Sequence, residues 1–121
     1  MMATTIFERA GGFSAVRKIV ADFYDRLLDD VTLQKYFANI DMARLIDHQT
    51  QFVSSMMGGP GEVSNDSLRK AHERLNINKA DFIKLAGILR DTLEDHGLPD
   101  EAVQHIYDAV MARETFIVSK K

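Results

Sequence analysis

The chain has 121 residues, 45% of them apolar and 27% charged, with a formal net charge of −3; one folded domain spanning residues 1–121 is expected, and disorder is excluded. The absence of Cys excludes a disulfide framework and thiolate metal ligands, and fits a reducing compartment. Lys and Arg are scattered rather than striped, which argues against nucleic acid; no run approaches the ~18 apolar residues of a membrane span, and "MMATTIFERAGG" lacks a signal-peptide pattern, so a cytoplasmic protein is expected.

All recognisable elements are helical. Val16, Ile19, Val20, Phe23, Tyr24, Leu27 and Leu28 follow the 3–4 spacing of one helix face, and Ser14 is placed to cap the start. Asp41 is a candidate N-cap for a second helix, whose stripe runs Leu45, His48, Gln49, Phe52, Val53, Met56, Met57 until "GGPG" stops it. Asn65 or Asp66 then caps a short helix carrying His72. Asn78 caps a third long helix with Phe82, Leu85, Ala86, Leu89 and Leu93 inward, ended by Gly97 and Pro99. A last helix is predicted from Pro99, in a first-turn position, through Val103, Ile106, Val110 and Phe116. No alternating β pattern, internal repeat or low-complexity segment occurs, so the fold class is all-α.

Four polar residues interrupt these apolar stripes: Tyr24, His48, Gln49 and His72. Each alone is compatible with an edge position or a backbone hydrogen bond. Burying such groups unpaired costs about 1–3 kcal/mol each, and one shared pocket accounts for all four. An apolar cavity with a few convergent polar groups is the anatomy of a small-molecule or cofactor site, and metal ligation is a common use of a neutral imidazole. Other chemistries fail on the letters. "HERLN" has Asn76 where a zinc-protease helix needs its second His, and "GGPGEVS" lacks the Lys of a phosphate loop. Asp29-Asp30 and Glu94-Asp95 sit at helix ends or outer faces, and His96 and His105 read as surface residues.

Taken in order, the motifs resemble the truncated haemoglobins, shortened globins that fold helices two-over-two around haem, and most closely their first group. "FERAGG" is similar to the glycine pair after the family's vestigial first helix, "DFYDRLLDD" to its Phe-Tyr motif, and "YFANIDMARL" to the segment whose Phe packs on haem. "HQTQF" is similar to the distal helix, "GGPG" to the glycine motif that follows it, and "LRKAHERL" to the proximal segment. The resemblance implies non-covalent haem b, one per chain, with His72 as the proximal iron ligand. It implies Tyr24 and Gln49 as distal hydrogen-bond donors to a bound gas. Phe23, Phe37, Phe52, Val53, Ile77 and Phe82 complete the haem pocket. Arg69, one turn before His72, matches a propionate partner, against which stands a solvated surface Arg.

Departures from the family pattern matter as well. Leu45 stands where many relatives carry Gln, which removes one polar distal contact. His48 matches a residue that in some cyanobacterial relatives swings in as a sixth ligand; the alternative is an outward His gating solvent. Those relatives also attach haem through a His near the C-terminus. The matching position here is near Thr115, and "ARETFIVSK" contains no His. "EVSND" replaces the Tyr and Gly usual in the loop after "GGPG".

The expected function is reversible binding of dioxygen and other diatomic gases, nitric oxide and carbon monoxide among them. Oxygen transport or nitric oxide detoxification would follow, the latter as a nitric oxide dioxygenase activity needing an external reductase, because no flavin or nicotinamide motif is present. A second reading is a haem-based gas or redox sensor, or electron carrier, with His48 as sixth ligand. A third is a cofactor-free helical interaction module with internally satisfied polar groups. A monomer is expected.

Overall fold

The computed structural model of the chain describes residues 5–59, 64–72 and 75–118. Among them, seven α-helices and one 3-10 turn form, with no strand. The first helix, α1, is short, Ile6–Ala10, with the Thr5 hydroxyl accepting the Glu8 N–H at 3.0 Å. Gly11, at φ 108°, ends it and at once begins α2, Gly12–Asp29. This left-handed joint favours Gly, and it corrects the predicted start: Ser14 lies inside the first turn, exposed, and caps nothing.

Helix α2 buries Val16, Ile19, Val20, Phe23, Tyr24 and Leu27. Leu28, expected inward, is 37% exposed, lying at the edge of the stripe in the last turn of the helix. Asp30 then turns the chain, its Oδ1 accepting the N–H groups of Thr32 at 2.8 Å and Leu33 at 3.1 Å. Leu33 is fully buried and anchors the 3-10 turn Gln34–Phe37. The next helix, α3, spans Met42–Met56 with Asp41 as the predicted cap; its Oδ1 accepts the Arg44 N–H at 3.2 Å. Gly58, at φ 81°, turns the chain out of this helix, and the Gly59 N–H donates to the Ser54 carbonyl at 2.8 Å. The rest of "GGPGEV" lies outside the described residues.

Helix α4 spans Asn65–His72. Ser64 occupies the position before it, its carbonyl accepting the Leu68 N–H at 3.0 Å, so Asn65 and Asp66, the expected caps, lie inside the first turn. Helix α5, Lys79–Asp95, starts at the predicted Asn78 cap, whose Oδ1 accepts the Asp81 N–H at 2.8 Å. Pro99 flanks rather than opens α6, Asp100–Met111, since its ψ of 153° is extended. The single long terminal helix expected to reach Phe116 is broken at Ala112 and Arg113. There the Arg113 guanidinium donates back to the Ala109 carbonyl at 2.7 Å, and α7, Glu114–Ile117, turns Ile117 inward while Phe116 is half-buried.

Helices α2 and α3 pack as one pair and α5 and α6 as another, with α2 lying on α5 and α3 on α6. This is the two-over-two arrangement. Short α4 sits against α7, outside the two pairs. The α1 helix closes the far end, the Phe7 N–H donating to the Met57 carbonyl at 2.9 Å.

Candidate functional site

Between the two helix pairs lies an apolar cavity that opens to solvent, about 1020 Å³ with its open mouth counted in. Phe23 and Tyr24 of α2, Tyr36 and Phe37 of the 3-10 turn, and Leu45, Gln49, Phe52 and Val53 of α3 line one side. His72 of α4, Leu75, Ile77, and Leu85 and Leu89 of α5 line the other. The walls are overwhelmingly apolar. Tyr24, Gln49 and His72, three of the four anomalies in the sequence stripes, therefore share one space.

The His72 ring is held from behind. Its Nδ1 lies 2.8 Å from the Leu68 carbonyl oxygen, one turn back on the same helix. A carbonyl only accepts, so Nδ1 carries the hydrogen and Nε2 keeps a free lone pair. Burial pushes the imidazole below its usual range, with the Leu68 hydrogen bond opposing, so the ring is neutral at neutral pH. A neutral imidazole whose other nitrogen donates to a backbone carbonyl is the usual state of a metal-ligating His. No three His, Asp or Glu side chains converge among the described residues. A metal held here therefore needs most of its ligands from a chelate, and the apolar lining with a single imidazole suits a metal macrocycle such as haem.

Across the cavity, Tyr24 is buried between two edge-on rings, Phe23 at 5.0 Å and Phe37 at 5.6 Å between centroids. Desolvation holds its phenol well above the usual range, so it remains a donor. Among the described residues neither its hydroxyl nor the half-buried Gln49 amide has a hydrogen-bond partner in the protein. Both are available to a guest in the cavity. Leu45 presents only hydrocarbon beside them.

The remaining predicted residues are placed differently. His48 is exposed and lines a surface groove with Arg44, Leu45 and Gln49 on the outer side of α3, not the cavity. Phe82 is fully buried in the core without reaching the cavity wall. Arg69 is exposed and pairs with Asp66 one turn earlier. Sequence reasoning missed Tyr36, which lines the cavity while its hydroxyl donates to Asp81 of α5. Its only signal was adjacency to Phe37.

The chain matches the bacterial-like globin family over residues 5–118. It belongs to that family, as a truncated globin of group 1. It is 33% identical over 106 residues to a group 1 truncated hemoglobin of Mycolicibacterium paratuberculosis, covering 88% of this chain and 78% of that one. A group 1 truncated hemoglobin of Synechocystis is 32% identical, with 85% and 86% covered. Among solved structures, the Fe(III) truncated hemoglobin of Tetrahymena pyriformis superposes with a TM-score of 0.85 at 26% identity, covering 97% of this chain and all of that one. The 2/2 hemoglobin of Synechococcus, in the cyanomet state with covalently attached heme, gives 0.87 at 25% identity over the same shares. Membership of the globins implies haem binding and diatomic gas ligands for this truncated globin. No helix among its described residues is long and apolar enough to cross a membrane.

Proposed function

We propose that this globin holds one haem b non-covalently between its helix pairs, with His72 as the protein's ligand to iron, and reversibly binds dioxygen and other diatomic gases. The observation that carries the reading is the His72 ring at the cavity wall, its Nδ1 tied to the Leu68 carbonyl at 2.8 Å and its Nε2 free. When bound, haem would supply an iron able to coordinate a diatomic ligand. The chain's own residues do the rest. Leu68 fixes the tautomer and orientation of the His72 ring. Phe23, Phe37, Leu45, Phe52 and Val53 exclude water, and Tyr24 and Gln49 donate hydrogen bonds to a ligand that gains negative charge.

Non-covalent attachment is supported around Thr115, the position matched above to an attachment His, because the described residues Arg113 to Val118 include no imidazole or thiol. His48 points the same way for coordination: it sits outside the cavity, so a role as sixth ligand requires α3 to rotate. Oxygen binding or transport by a monomer therefore fits better than a sensor. Nitric oxide detoxification is a further use of the same site, and turnover would need an external reductase.

Titration of the purified protein with haem tests the reading. A one-to-one Soret complex that binds carbon monoxide and dioxygen after reduction is expected. A folded protein with no stoichiometric Soret band overturns it and leaves the cofactor-free module.

A further inference from the structure

Two consecutive aromatic residues of the 3-10 turn have different surroundings. Phe37 faces Tyr24 edge-on, whereas Tyr36 donates its hydroxyl to Oδ2 of Asp81, 45 residues away on the first turn of α5. Asp81 is only 6% exposed, and Lys35 Nζ lies 3.8 Å from the same oxygen. A carboxylate this buried is costly without partners, and Tyr36 and Lys35 supply them from one short segment. One turn further along α5, Lys84 reaches Asp30 at 2.9 Å and Thr32 at 3.4 Å. The start of α5 thus grips residues 30–36 at two points. Beyond Tyr36 the grip ends: Ala38, Asn39 and Ile40 are exposed, and Asn39 adopts φ 63°.

We propose that the Tyr36–Asp81 hydrogen bond is a latch that positions the distal face of the cavity. It fixes the 3-10 turn against α5, which sets Phe37, which in turn keeps the Tyr24 hydroxyl aimed at the ligand. Tyr36 and Asp81 are positioning residues for the gas binding proposed above, and the inference rests on that reading. Burial, reinforced by Asp81, pushes the Tyr36 phenol up to about 12, so the donor stays protonated throughout the neutral range.

The test compares Tyr36→Phe, which keeps the ring, with Asp81→Asn, which keeps an acceptor of the same shape. Two quantities are read. The first is hydrogen exchange of the Tyr36 and Ile40 backbone N–H groups, which bond the Leu33 and Phe37 carbonyls, on the protein as purified. The second is the C–O stretching band of the carbon monoxide complex, which reports hydrogen bonding at the distal face. Tyr36→Phe should raise exchange at these sites about tenfold, the effect of losing one hydrogen bond on a local opening equilibrium, while α6 is unchanged. The C–O band should shift or split. Asp81→Asn, which keeps an acceptor but loses the charge, should move both in the same direction by a smaller amount, and it keeps the inference testable if Tyr36→Phe folds poorly.

Unchanged exchange in Tyr36→Phe overturns the latch. Faster exchange with an unmoved C–O band overturns the positioning role, as does an Asp81→Asn protein in which either quantity moves in the opposite direction to Tyr36→Phe. The exchange measurement needs no haem, so its failure is distinct from failure of the haem reading, which would show as no carbonyl band in the parent protein.

Discussion

The ring of Phe37 meets that of Tyr24 edge-on, 5.6 Å between centroids at an interplanar angle of 84°. Edge-to-face rings lock each other's rotation, so Tyr24 has a fixed direction in which to present its hydroxyl. Gln49 lines the same cavity. The two side chains are proposed as one donor unit toward a guest there.

Oxygen dissociation measures the unit. Tyr24→Phe removes one hydrogen bond worth about 1.4 kcal/mol and is expected to accelerate oxygen release about tenfold. Gln49→Leu should act in the same direction. With both side chains proposed to serve one ligand, the double variant should depart from the product of the two single effects. An unchanged rate in Tyr24→Phe, measured by stopped flow, removes that hydroxyl from the account.

The seat of α1 on the end of α3 can be probed at Gly59. A Cβ there would stand 2.7 Å from Cδ1 of Phe7 and 2.9 Å from the Ser54 carbonyl oxygen, a backbone atom with little freedom to move. Gly59→Ala is expected to destabilise the fold by about 1–3 kcal/mol, the usual effect of overpacking. Thermal melting checks this, and an unchanged midpoint would mean that α1 is not seated as described.

Much of the frame was legible because helices announce themselves locally. Asp41 and Asn78 were readable as caps since the cap and the N–H it satisfies are three residues apart. The joint at Gly11 was read too late because one positive-φ residue serves as both C-cap and N-cap, and Ser14 imitates a conventional start. The break at Ala112 and Arg113 carries neither Pro nor Gly; it comes from a side chain returning to the Ala109 carbonyl, which no periodicity shows.

The site was legible to a similar depth. Tyr24, Gln49 and His72 fall near the centres of their stripes, and the structure brings them to one cavity. His48 stands one residue before Gln49, about 100° around the helix, and the sequence spacing alone does not separate the edge of an apolar stripe from its centre. It proves to be outside. Tyr36 and Asp81 escaped notice because their bond joins residues far apart in the chain, and each alone reads as surface.

Alkaline stability should report Tyr36. Its phenol rises from 10.0 to about 12 in the folded chain, first through desolvation and then through Asp81. The unfolded chain therefore loses its proton first. The stability this contributes is complete below pH 10 and disappears as pH climbs through about 12. Denaturant melts between these limits should fall more steeply for the parent than for Tyr36→Phe. Equal slopes would mean that the hydroxyl is not held by the buried carboxylate.

Resonance Raman spectroscopy of the ferrous, ligand-free protein tests directly whether the His72 imidazole ligates iron, as proposed. An iron–nitrogen stretching band should be present in the parent, vanish in His72→Gly, and return, shifted, when free imidazole is added to that variant. A band that survives His72→Gly unchanged would place the axial ligand elsewhere and refute the assignment.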